Sequence, residues 1–113
     1  MQIHKQQVGA VLVVTPQEDR LDASVAGTFK GFMVDVINQG GQKVVLNLER
    51  VDFVDSSGLT AIVSTLKSLA LAGGEMVVCG IKNNVAALLK LTRLDKIFKV
   101  FDDINQACQT LDK

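Results

Sequence analysis

Three apolar runs rich in β-branched residues are held apart by stretches long enough for a helix, and this spacing limits the fold more than any other property of the chain. VGAVLVVT (8–15), KVVLNL (43–48) and EMVVCG (75–80) have strand character, and more than twenty-five residues separate each from the next. A tight hairpin needs only a few residues, whereas a crossover helix needs a dozen or more. Crossover units build parallel sheets, so the pattern points to an α/β fold.

The intervening segments carry the helical period. Asp22 is placed to cap a helix whose face is Val25, Phe29, Phe32, Met33 and Val36, ending at Gly40-Gly41. A second helix, entered through VDFVDSSGLTAI (51–62), has Leu59, Ile62, Val63, Leu66, Leu69 and Ala70 as its apolar face and stops at Gly73-Gly74. Asn83 or Asn84 caps a third, with Val85, Leu88, Leu89 and Leu91 or Thr92 facing inward. After a turn at 93–96 and a strand at 98–101, Asp102 or Asp103 caps a last helix bearing Ile104, Ala107, Cys108 and Leu111. Residues 3–7 read as an antiparallel edge strand, turning near Val8-Gly9. The expectation is one domain spanning 1–113: a mixed, mostly parallel sheet of four to five strands packed with about four helices.

Charge narrows the partners. The 12 basic and 12 acidic residues cancel, and no Lys/Arg cluster exceeds a pair, which removes the electrostatic basis for nucleic-acid or anionic-membrane binding. The apolar runs are too short to span a bilayer and no signal-peptide core opens the chain, so a cytoplasmic protein without membrane insertion is expected. Cys79 and Cys108 lie on apolar-patterned segments and read as free, buried thiols. With His4 as the one histidine, neither a metal cluster nor a Ser-His-Asp triad has its parts, and no cofactor is expected.

The segment Asp55-Ser56-Ser57-Gly58 falls on a strand-to-helix turn at the carboxyl end of the sheet, where open α/β proteins place ligands and chemistry. Two readings are open. Asp or Ser here can be a helix cap, with Gly58 relieving crowding. Alternatively, a serine hydroxyl at a helix start can carry a phosphate, stabilised by the helix amides and opposed by the adjacent carboxylate. The far side of this helix (Ser57, Thr60, Ala61, Ser64, Lys67, Ser68 and Leu71) holds a single charge where a solvated face would hold several, and it reads as a docking surface.

At these residues the chain resembles the STAS-domain family of anti-sigma factor antagonists, through NLERVDFVDSSGLTAIVSTLKSLALAGGEMVVCG and its Asp-Ser/Thr-x-Gly-Leu turn. Arg20-Leu21-Asp22-Ala23 is similar to that family's loop into its first helix, and 85–101 to its third helix and following strand. The resemblance implies a partner switch and no catalytic activity. Ser56 is the implied phosphorylation site, with Ser57 second. The unphosphorylated protein would bind an anti-sigma factor that is a serine kinase, and a metal-dependent serine phosphatase would act on the phosphorylated form. The expected partner-binding residues are Asp22, Asp55, Ser57, Gly58, Thr60, Ser64 and Lys67, with Gly58 permitting close approach of the partner.

Two competing readings stand beside this one. A constitutive STAS subunit of a lipid or anion transport system would use the same fold without the switch. A receiver or enzyme would use Asp52 or Asp55 as phospho-acceptor, but no convincing lysine follows the last strand and no phosphate-binding glycine loop is present. Gly27 and Gly31, one turn apart and off the apolar stripe, are either drift or a place where another backbone packs.

Overall fold

The computed structural model describes residues 1–112. β1 (Ile3–Val8) pairs antiparallel with β2 (Val11–Pro16), which runs parallel to β4 (Lys43–Asn47); β4 is parallel to β6 (Glu75–Cys79), and β6 to β7 (Val100–Phe101). The sheet order is β1-β2-β4-β6-β7. A second sheet of two residues per strand joins β3 (Arg20–Leu21) to β5 (Phe53–Val54) in parallel. The helices are α1 (Ala23–Asn38), α2 (Ser56–Leu71), α3 (Asn83–Leu91) and α4 (Ile104–Leu111).

The three central strands are apolar on both faces, and the packing explains why. Val14, Val44, Leu46, Met76 and Val78 meet the core side chains of α1, α2 and α3, including Phe29, Met33, Leu69 and Leu89. The alternate residues Val11, Val13, Val45, Val77 and Cys79 meet Ala107, Cys108 and Leu111 of α4 on the other face. Covering both faces of a parallel sheet turns its strands into continuous apolar runs rather than alternating ones. Each fully buried aliphatic side chain contributes about 1.5–3 kcal/mol relative to exposure. Gly40 and Gly73, at φ of 92° and 85°, let the chain leave α1 and α2 and turn into the next strand.

Several expectations are corrected. The first run divides: Val8 belongs to β1, is more than a third exposed, and faces Val11 across a Gly9-Ala10 turn. The last strand is reduced to Val100–Phe101, because Phe98 leaves the ladder to bury itself in the three-helix core. α3 starts from Lys82, with no side-chain cap from Asn83 or Asn84. Leu91 is 83% exposed and Thr92 is exposed too, since the inward stripe of so short a helix closes at Leu89. In α2, Ala61 is buried and Ala70 exposed, the reverse of the sequence pattern, because α1 lies against α2 and covers Ala61 and Thr65. Gly27 and Gly31 have open space where a side chain would stand, so no backbone among the described residues packs on them.

The thiols are free and buried. Desolvation, reinforced by the neighbouring Cys108, pushes the Cys79 thiol up to about 12, and burial raises Cys108 as well. Native protein at neutral pH is therefore expected to react with iodoacetamide far more slowly than a model thiol, with full labelling of both cysteines only in denaturant. Mass spectrometry of timed quenches checks this, and rapid native labelling of Cys79 would contradict the packing of α4 on the sheet.

Candidate functional site

The turn 55–58 and the loop into α1 are drawn together at the carboxyl ends of β2 and β4. The two-residue pairing of Arg20-Leu21 with Phe53-Val54 fastens them, and the amides of Asp52 and Phe53 donate to the Asp19 carbonyl at 2.7 and 3.2 Å. The Leu21 carbonyl accepts from the Asp55 amide at 3.3 Å. That carbonyl lies so close to Gly58 that a Cβ there would sit 1.9 Å from its oxygen. Gly58 is buried, and the close approach it permits within this chain is that of the Leu21 carbonyl.

The starts of α1 and α2 each have their own aspartate. Asp22 caps α1, accepting from the Ser24 amide at 3.0 Å and from the Ser24 hydroxyl. Asp55 caps α2 through Oδ1, which accepts from the Gly58 amide at 2.9 Å. Its Oδ2 accepts from the Ala23 amide at 3.1 Å, across 32 residues of sequence. One carboxylate thus serves the first turns of both helices. Ser56 and Ser57 are the first two residues of α2 and both are exposed. The Thr60 hydroxyl donates to the Ser56 carbonyl at 2.8 Å, placing Thr60 on the same exposed side.

The rest of the expected docking face is only partly open. Thr60 and Lys67 are exposed, while Ser64 is half-buried and shares a narrow groove with Lys30, Met33, Val34 and Ile37 of α1. Side chains that the sequence pattern did not single out complete the rim. The Arg20 guanidinium stacks on Phe53, 4.6 Å from the ring centroid, and pairs with Asp22 at 3.4 Å. Lys82 pairs with Asp52. Only the pairing of β3 with β5 brings Arg20 over Phe53, and no local signal announces it.

The Asp22 carboxyl is held below the ordinary carboxylate range chiefly by the Ser24 hydroxyl; desolvation is the next largest effect and opposes it, and the Ser24 amide and Arg20 add to the lowering. A depressed folded-state value means the cap stabilises at neutral pH and fades as pH falls through the Asp22 midpoint. Ser24→Ala is expected to move that midpoint upward, which a carboxyl-carbon NMR titration would read. An unchanged midpoint would remove the serine from the cap.

Among the described residues no three His, Cys, Asp or Glu side chains converge on a point that could hold a metal ion, and no helix is long and apolar enough to cross a membrane. What the arrangement offers is an exposed serine on a firmly held turn, next in sequence to the Asp55 carboxylate, with an apolar-cationic rim on the neighbouring loop.

Known proteins resemble this chain over most of its length. The STAS domain pattern matches residues 2–107. A protein of Thermotoga maritima named as a candidate anti-sigma factor antagonist is 34% identical over 103 residues, covering 90% of each chain. Its crystal structure superposes with a TM-score of 0.91 over 98% of this chain and 95% of that one. The anti-sigma F factor antagonist of Paenibacillus polymyxa is 39% identical over 62 residues, about half of each chain (55% and 53%). The Bacillus cell fate determinant SpoIIAA, solved in a phosphorylated form, shares the fold, with a TM-score of 0.73 at 17% identity over 96% of this chain and 98% of that one. With its α/β architecture, its Asp-Ser-Ser-Gly-Leu turn and this near full-length likeness, the chain belongs to the STAS-domain family of anti-sigma factor antagonists.

Proposed function

We propose that the protein works as an anti-sigma factor antagonist in a phosphorylation-dependent partner switch. In its unphosphorylated form it binds an anti-sigma factor that is also a serine kinase. Phosphorylation at Ser56 releases that partner, and a metal-dependent serine phosphatase restores binding. The observation that carries this reading is the placement of Ser56: exposed, first in α2, on a turn fixed by the Asp55 cap and the β3–β5 pairing. Ser57, one residue on and equally exposed, is the second candidate acceptor.

A phosphate there adds about −1.5 to −2 charge beside the Asp55 and Asp22 carboxylates. On an exposed turn the added charge acts on the interface and leaves the core alone. Asp22, Asp55, Ser57, Thr60, Ser64 and Lys67 form the partner surface in this reading, extended by Arg20 and Phe53. Burying an unpaired charge at an interface costs about 2–5 kcal/mol, enough to end binding at micromolar concentration.

Ser56→Ala and Ser56→Asp baits, incubated side by side with host lysate, test this. The alanine form is expected to retain a kinase-like ATPase that the aspartate form loses, while both keep the same circular-dichroism melt. If both retained the same transport proteins equally, the protein would be a constitutive transporter subunit and Ser56 only part of a cap.

A further inference from the structure

Asp55 does more than cap its own helix. Its Oδ1 is tied to the Gly58 amide by the short-range geometry of the α2 first turn, whereas its Oδ2 reaches the Ala23 amide of a different element. Both contacts are ordinary hydrogen bonds, at 2.9 and 3.1 Å, but the one to Ala23 is not enforced by the helix that carries Asp55. The start of α1 also has an independent cap in Asp22. The Ala23 contact can therefore be lost without unwinding α1.

We propose that Asp55 is the positioning residue that transmits the charge state of Ser56 to the loop into α1, through its hydrogen bond to Ala23. The inference rests on Ser56 being the modified residue. A phosphate on the residue next to Asp55 repels its carboxylate, and the contact that yields is the one spanning two elements. Releasing Ala23 loosens the segment that carries Arg20 and Asp22, whose guanidinium and carboxylate are paired with each other at 3.4 Å and whose arginine lies over Phe53. A partner would then meet an altered loop as well as an added charge, and one modification would change two adjoining parts of the surface.

The test needs no partner. Phosphoserine is installed at position 56 of the full chain by genetic encoding, and the amide protons of Ala23 and Gly58 are followed by NMR, with Asp55→Asn as the comparison background. Asparagine keeps one acceptor oxygen for the Gly58 amide, but its NH2 group stands where Oδ2 accepts from Ala23, so this background lacks both the charge and that contact. In the native background, phosphoserine is expected to move the Ala23 proton upfield and to speed its exchange about tenfold, as loss of one charge-assisted hydrogen bond requires, with a smaller change at Gly58. In Asp55→Asn the response at Ala23 should fall to less than half. An Ala23 amide indifferent to phosphoserine, or equally responsive in Asp55→Asn, would overturn the proposal. A merely structural cap would give the second result. Should the Ala23 response appear while the lysate baits show no discrimination, the coupling stands and the switch in "Proposed function" fails.

Discussion

Gly58→Ala is expected to be the most damaging single-methyl change in the chain. The added Cβ would lie 1.9 Å from the Leu21 oxygen and 2.8 Å from its carbonyl carbon, and both are backbone atoms that cannot rotate away. Relief requires α2 to move off the loop held by β3 and β5, which strains the Asp55 amide bond to the same carbonyl. Overpacking that displaces backbone costs about 3 kcal/mol or more. Against a total stability of about 5–15 kcal/mol, that is a large share. A urea melt should show the midpoint falling steeply, with loss of the folded baseline at 37 °C. Gly27→Ala is the control: open space surrounds that position, and alanine there should raise stability by about 0.5–1 kcal/mol. Near-equal melts for the two variants would mean that the Leu21 carbonyl does not abut Gly58.

Leu69→Ala should approach the same severity by the opposite route. Leu69 is fully buried where α2 meets the sheet, and its truncation leaves a cavity among close-packed neighbours, costing about 3–5 kcal/mol. Leu66, one turn earlier on the same apolar stripe, is only half-buried, and Leu66→Ala should cost about 1–2 kcal/mol. The sequence pattern ranks the two leucines alike. Paired denaturation curves with unchanged slopes would separate them, and a larger loss at Leu66 would contradict the way α2 lies on the sheet.

The difference between those leucines illustrates what a hydrophobic pattern holds. Periodicity states which residues share a helix face, and it placed α1, α2, α4 and the strands β4 and β6 within a residue or two, though not the start of β2. It cannot state which neighbour covers that face. Ala61 looked outward by period and is buried because α1 lies beside it, while Leu91 or Thr92 looked inward and both are exposed, no described element covering the end of α3. The candidate site divides the same way. Asp55, Ser56 and Gly58 were marked by residue type and spacing at one turn. The joining of Arg20 to Phe53, and of Asp55 to Ala23, spans more than thirty residues and has no local signature.

The amino-acid sequence by itself determined the α/β class, the crossover order and the exposed serine turn, because backbone period, caps and glycine stops act over a few residues and are written where they act. Tertiary structure alone decided that Gly58 abuts the Leu21 carbonyl, that one carboxylate holds two helix starts, and that part of the expected docking face is a helix–helix seam. The first two depend on a two-residue parallel pairing between distant loops, and the third on two crossover helices packing on the same face of the sheet, contacts between residues far apart in sequence that no local pattern encodes.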